Sequence, residues 1–91
     1  MEFEWDENKN NSNIEKHGIS FDEAKEVFSD KKLIRKRDIK KDYGEIGFIG
    51  IGQALEKILV VVYTMREKAT RLISAGKANK KEKEIYHERT N

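Results

Sequence analysis

The sequence predicts an α+β fold: an antiparallel sheet of about four strands with two N-terminal helices and a C-terminal helix. Two stretches near the N-terminus carry helix-capping residues, and a third cap lies near the C-terminus. Between them, after Asp30, the apolar residues follow the pattern of strands. With 91 residues the chain fits one domain, spanning 1–91, whose core is modest in size.

The first helix is marked at both ends. Asp6 can cap its start, and Gly18 follows His17 in the position where glycine commonly closes a helix. The preceding segment, Met1 to Trp5, alternates between polar and apolar residues, as in a short strand. We expect its aromatic residues to anchor that strand to the core rather than to stack on bases.

A second helix is predicted to begin after Ser20. Ser20 and Glu23 have the spacing of a capping box, in which each side chain satisfies the other residue's backbone amide. We expect this helix to run to about Phe28. Its core residues are predicted from their helical spacing to be Phe21, Ala24, Val27 and Phe28.

The strand-like segments form a predicted antiparallel meander. The run from Ile58 to Tyr63 is apolar at every position, which predicts a central strand covered on both faces. Asn79 and Glu82 again have cap spacing and predict the start of the last helix. The predicted strands are 32–39, 45–52, 57–65 and 69–75, with turns at 41–44, 53–56 and 66–68.

Composition limits the available chemistry. The chain has no cysteine, which removes disulfides, thiolate metal ligands and a thiol nucleophile, and its two isolated histidines argue against a zinc site. We therefore expect no cofactor, and chemistry that either needs no metal or borrows an ion. No apolar stretch approaches the roughly 20 residues of a membrane helix, and the acidic N-terminus is unlike a signal peptide. We expect a cytoplasmic protein.

Charge is distributed unevenly, although the net charge is only +2. Residues 1–30 carry three lysines against nine carboxylates, a net −6, whereas residues 31–41 carry seven basic residues against Asp38, a net +6. Such a basic block attracts polyanions and suits phosphate contacts. It could equally be a solvated edge hairpin whose lysines prevent aggregation.

Five short motifs follow one another along the chain. They are Phe3-Glu4-Trp5-Asp6, Lys16-His17-Gly18, Thr64-Met65-Arg66, Arg71-Leu72-Ile73-Ser74-Ala75 and Glu82-Lys83-Glu84-Ile85-Tyr86. In this order and spacing, over nearly all 91 residues, the sequence resembles the BrnT family of toxins.

The resemblance implies a RelE-like fold and an endoribonuclease that cleaves RNA by metal-independent phosphodiester chemistry and inhibits growth. It also implies a partner, a DNA-binding antitoxin of the BrnA type that neutralises the toxin, in a complex of two toxins and two antitoxins. Operator DNA would be contacted only through the antitoxin. The acidic residues 1–30 offer a surface that is complementary to a basic partner.

Cleaving RNA without a metal requires an activated 2′-hydroxyl, a protonated leaving oxygen and stabilised charge on the phosphate. Given the resemblance, we predict that Arg66 and Arg71 bind the scissile phosphate, because an antiparallel hairpin would bring them together at one edge of the sheet. The candidates for proton transfer are His17, Glu84 and Tyr86. The cations predicted to guide RNA are Arg35, Lys36, Arg37 and Lys77.

Each of these candidates also has a structural interpretation. Arg66 and Arg71 could pair with carboxylates, and His17 could cap its own helix. Tyr86 could pack its ring on the sheet, with its hydroxyl either in the same groove as Arg71 or in a purely structural contact. Glu84 could be an exposed helical charge.

Two positions depart from the family pattern, which usually has arginine where this chain has Gly47 and Gly76. Both glycines remove a cation, so the toxin could be attenuated. Alternatively, the chain has simply diverged, and Lys77, Arg37 or Arg35 supplies the charge. The alternative functions are a catalytically inactive homologue or mutant that acts as an antitoxin-binding module, and a small nucleic-acid-binding protein.

Overall fold

The structure, a computed structural model, describes residues 1–38 and 46–90. Within them, one sheet contains β1 (Phe3–Glu4), β2 (Ile34–Asp38), β3 (Gly47–Ala54), β4 (Lys57–Met65) and β5 (Thr70–Lys77), in the order β1-β5-β4-β3-β2. The helices are α1 (Glu7–His17), α2 (Phe21–Ala24), which continues into a 3-10 helix (Lys25–Ser29), and α3 (Lys80–Thr90). The predicted α+β class is confirmed.

The meander from β2 to β5 is antiparallel, as predicted. β1 is the exception, because it pairs with β5 in parallel, with Phe3 opposite Thr70 and Glu4 opposite Arg71. The predicted antiparallel sheet of about four strands is therefore confirmed, and β1 adds a fifth strand in parallel at its edge. β1 occupies the edge of β5 that the meander leaves unpaired, which satisfies backbone groups that would otherwise face solvent.

The strand boundaries differ from the predictions by a few residues. β3 and β5 each end two residues later than predicted, and the turn predicted at 53–56 shrinks to Leu55 and Glu56, which have φ of +49° and +67°. Positive φ at both positions is the geometry of a tight two-residue hairpin turn. The hairpin at Arg66 to Ala69 closes as predicted, with two backbone hydrogen bonds. The turn predicted at 41–44 lies outside the described residues.

The helix caps are confirmed at the predicted residues. Asp6 accepts from the amides of Asn8 and Lys9, Gly18 has φ of 68°, and Ser20 and Glu23 form the capping box. The second helix is α-helical only to Ala24, and the remainder is wound as a 3-10 helix, tighter than predicted.

The last helix, α3, also begins as predicted. The Asn79 and Glu82 side chains each accept a hydrogen bond from the other's amide. Neither α3 nor α1, at 11 residues each the longest helices in the described part of the chain, is long or apolar enough to span a membrane.

The core lies on one face of the sheet, called here the inner face, beneath α2 and the 3-10 helix. Trp5 packs edge-on against Phe21, with ring centroids 6.0 Å apart, and Phe3 lies 5.3 Å from Phe28, so the aromatic residues of the N-terminal segment anchor it as predicted. Gly52 permits close approach here, because a Cβ atom would lie 3.1 Å from the Cβ of Val27. Buried members of the core include Ile19, Phe21, Ala24, Val27, Leu59, Val61, Tyr63, Leu72 and Ala75.

The other face of the sheet, called here the outer face, is less covered. Along β4, Leu59, Val61 and Tyr63 are buried, whereas the alternating residues Val60 and Val62 are only half-buried. The prediction that this strand is covered on both faces is therefore wrong, because the 3-10 helix and α2 pack on the inner face alone. Among the described residues, the outer face is therefore only partly covered.

Candidate phosphate-binding site

One row of residues crosses the outer face at the end of the sheet where β4 ends and β5 begins. The strand register places Glu4, Arg71, Thr64, Gly47 and Asp38 side by side, one from each strand. We call these five residues the arginine row. Because neighbouring strands lie about 4.8 Å apart, the row is about 19 Å long.

Two arginines share a carboxylate at one end of the arginine row. Arg71 donates from Nη1 to Glu4 Oε2 at 2.8 Å, and Nη1 of Arg66, in the turn after β4, lies 3.9 Å from the same oxygen. The hairpin thus brings Arg66 and Arg71 together, as predicted. The alternative, pairing with a carboxylate, also holds, and the carboxylate belongs to Glu4, which was not among the predicted site residues.

The middle of the arginine row contains an unsatisfied polar group. The Thr64 hydroxyl is buried and has no hydrogen-bond partner among the described residues. Gly47, the next residue along the row, has no side chain that could form a hydrogen bond with this hydroxyl. A buried polar atom in this state costs roughly 1–3 kcal/mol. Gly47, itself buried, therefore brings no donor to the row between Thr64 and Asp38.

His17 lies elsewhere, at the edge of β5. A Cβ atom added at Gly76 would lie 3.8 Å from His17 Nδ1, an ordinary van der Waals contact. Gly76 follows Arg71 by five residues along β5, about 16 Å, so His17 does not belong to the arginine row. It lines a groove of about 400 Å³ between α1 and β5, together with Asn8, Lys9, Ser12, Asn13, Lys16, Ile73 and Ser74.

Tyr86 and Glu84 lie at the opposite end of the sheet from Arg71. The Tyr86 hydroxyl donates to the Asp30 carboxylate at 2.6 Å, and the same carboxylate oxygen accepts from the Gln53 amide near the end of β3. Gln53 is six residues from Gly47 along β3, about 20 Å from the arginine row. The possibility that the Tyr86 hydroxyl shares a groove with Arg71 is therefore wrong, because Asp30 binds that hydroxyl. Glu84 is exposed on α3, the helix that carries Tyr86.

The bond between Tyr86 and Asp30 fastens α3 to the body of the protein. Burial, followed by the hydrogen bond to Asp30, raises the pKa of Tyr86 to about 12. Burial also acts to raise the pKa of Asp30, but hydrogen bonds from Tyr86, Gln53 and Lys32 outweigh it and hold that pKa below its usual value.

We expect Tyr86→Phe to lower the free energy of unfolding by about 1.5–3 kcal/mol, the usual effect of a hydrogen bond to a charged group. In the native chain the contribution of Tyr86 is fully present below pH 10 and is lost as pH rises toward 12, because the folded state holds the phenol proton more tightly. Urea denaturation between pH 7 and 12 measures both effects. An unchanged alkaline loss of stability in Tyr86→Phe would contradict this assignment.

The cations predicted to guide RNA do not form one surface. Of the three in β2, only Lys36 is on the outer face, opposite Ile49, whereas the Arg35 guanidinium lies 5.7 Å above the Phe28 ring on the inner face. Arg37, two residues on, shares the inner face with Arg35. Lys77 lies at the end of β5 remote from Arg71.

Residues 1–38 and 46–90 contain no group of three or more histidine, aspartate or glutamate side chains placed to hold a metal ion. The described fold and site define a small α+β protein whose outer face gathers two guanidinium groups around one carboxylate. The model of the family described as the ribonuclease toxin BrnT of type II toxin–antitoxin systems matches residues 5–82. The chain belongs to this family, and such membership implies an antitoxin partner. No curated protein matches the sequence.

Proposed function

We propose that this chain is an endoribonuclease toxin that cleaves RNA at the arginine row by metal-independent transesterification. The observation that carries the proposal is the convergence of Arg66 and Arg71 on one carboxylate oxygen of the outer face. A phosphodiester presents oxygens of the same kind to these guanidinium groups. Their fixed positive charge would stabilise the additional charge that develops on the pentavalent phosphate.

The outer face beside the arginine row offers a path for the rest of the RNA. The next row of the sheet holds Ser74, Val62, Ile49 and Lys36, so a half-buried apolar floor lies between a hydroxyl and an ammonium group. The groove along α1 opens beside Ser74 and is lined by two lysines. These groups favour a polyanion through charge and not through base-specific contacts.

We expect Gly47→Arg to increase RNA cleavage at least tenfold, because it would place a second guanidinium in the arginine row, two strands from Arg71. The new side chain could also donate to the unsatisfied Thr64 hydroxyl. The measurement is cleavage of single-stranded RNA by purified protein in EDTA. Gln53→Arg is the matched control, since it adds the same charge to the far end of β3.

Gly76→Arg tests the second departure separately, because its Cβ atom fits beside His17 without a clash. If neither Gly47→Arg nor Gly76→Arg, nor both together, cleaves more RNA than Gln53→Arg, the glycines have not attenuated the enzyme. If the native chain and all these variants fail to cleave, the ribonuclease proposal is overturned.

The second candidate function is a catalytically silent member of the family that keeps its antitoxin surface. Gly47 favours this candidate, since it brings no cation to the arginine row beside Thr64. It predicts no cleavage by the native chain, cleavage by the Gly47→Arg variant, and a stable complex of either chain with the antitoxin.

The partner that fits the proposed function is a BrnA-type DNA-binding antitoxin, in a complex with two copies of each chain. Its contacts would draw on the acidic N-terminal region, where Glu7, Glu15, Asp22 and Glu26 are exposed. A basic partner would bind this surface faster at low ionic strength. Operator DNA would be reached through the antitoxin, and the site of action would be the cytoplasm.

A further inference from the structure

We propose that Glu4 is the general base of the reaction, a role that rests on the proposed ribonuclease function. Glu4 lies one residue before the part of the chain matched by the family model, and its role follows from its position in the sheet. Parallel pairing of β1 with β5 places its carboxylate beside Arg71 on the outer face.

Glu4 is the carboxylate that contacts the predicted phosphate ligands. Its Oε2 accepts a 2.8 Å hydrogen bond from Arg71, whereas Arg66, at 3.9 Å, lies beyond hydrogen-bond distance. The side chain is 38% exposed, so a substrate can reach it without unfolding β1. Glu84, by contrast, lies on α3, which fastens to the opposite end of the sheet through Tyr86.

A bound phosphodiester would place its 2′-hydroxyl next to this carboxylate. With a non-bridging oxygen on the Arg71 guanidinium, this role requires the adjacent 2′-hydroxyl to lie within roughly 3 Å of the Glu4 carboxylate. The phosphate also competes with Glu4 for the arginines.

The chemical step is a transesterification within the RNA. Glu4 accepts the proton of the 2′-hydroxyl while the 2′-oxygen forms a bond to phosphorus. The bond from phosphorus to the 5′-oxygen breaks, the electron pair leaves with that oxygen, and a water molecule protonates it. The products are a 2′,3′-cyclic phosphate and a 5′-hydroxyl, and Glu4 then returns its proton to solvent.

The test is Glu4→Gln, whose amide oxygen can still accept from Arg71 but cannot accept the hydroxyl proton. We expect the single-turnover rate at saturating enzyme to fall at least about 100-fold. The Kd for a non-cleavable RNA that carries a 2′-deoxynucleotide should not rise more than about threefold above the native value, because the arginines remain in place and the competing negative charge is gone. Glu88→Gln, the same change at an exposed site on α3, should leave both quantities unchanged.

Each outcome separates the role of Glu4 from the function itself. A Glu4→Gln chain that cleaves RNA at the native rate overturns the role of Glu4 and leaves the ribonuclease proposal intact. If Glu4→Gln lowers the cleavage rate, the affinity for RNA and the free energy of unfolding together, Glu4 only positions Arg71. That result also overturns its role as a base. If the native chain, Gly47→Arg, Gly76→Arg and the double variant all fail to cleave, the proposed function is overturned, and with it the role of Glu4.

Discussion

Arg71→Ala is expected to reduce the rate of RNA cleavage by about 100-fold to 1,000-fold, the effect of removing one well-placed donor from a developing oxyanion. Arg71 lies in the centre of the proposed chemistry, paired with Glu4 in β1 and with Thr64 in β4. Its side chain is 28% exposed, so the strands hold it while substrate can still reach it. Arg71→Lys keeps the charge but loses the planar fork of donors, and we expect it to recover only part of the rate.

Arg89→Ala is the control for this experiment, because Arg89 is an exposed cation of α3. Single-turnover cleavage of single-stranded RNA should be measured in the native chain and in Gly47→Arg, with each alanine substitution added. A rate for Arg71→Ala within threefold of its parent would remove Arg71 from the mechanism. An equal loss of cleavage rate in Arg71→Ala and Arg89→Ala would instead indicate a general effect of positive charge.

Asn13→Ala is expected to lower the free energy of unfolding by at least about 3 kcal/mol. The buried Asn13 amide donates to the carbonyls of Ile19 and Ala75 at 2.8 Å each, and its oxygen accepts from the Ala75 amide at 3.1 Å. Its loss leaves three backbone groups without partners in the interior. The same bonds hold α1 against β5, so the groove that contains His17 should be disrupted as well.

Asn11→Ala is the matched control, since Asn11 is exposed on the same helix and the change brings the same gain in helix propensity. Urea denaturation at neutral pH gives both free energies of unfolding. Equal midpoints for Asn13→Ala and Asn11→Ala would contradict the structural role assigned to Asn13.

The parts of the fold that depend on neighbouring residues could be predicted from the sequence. The caps at Asp6, Ser20 and Asn79 follow from side chains that reach amides two or three positions away, and the structure contains all three. The meander likewise follows from local apolar runs and short turns. Even so, the length of the turn at Leu55 was missed, because neither of its residues is the glycine or asparagine that usually marks positive φ.

The site depends on contacts between residues that are far apart in the sequence, and no local sequence pattern reveals such contacts. Glu4 and Arg71 are 67 positions apart, and only the parallel pairing of β1 with β5 brings them into contact. Glu4 belongs to the opening motif, which was the one available signal. α1 contains one strongly apolar residue, Ile14, and that residue is 43% exposed. A helix without an apolar face packs through polar side chains, here Asn10 and Asn13.

The most direct test of a phosphate site at the arginine row is the chemistry of the ends that cleavage produces. Short single-stranded RNA should be incubated in EDTA with the native chain, with Gly47→Arg, and with Gly47→Arg combined with Arg71→Ala, and the products identified by mass spectrometry. We predict 2′,3′-cyclic phosphate and 5′-hydroxyl ends that depend on Arg71 and vanish when the cut nucleotide is 2′-deoxy. Ends with a 5′-phosphate and a 3′-hydroxyl, or cleavage that persists without Arg71, would contradict the account.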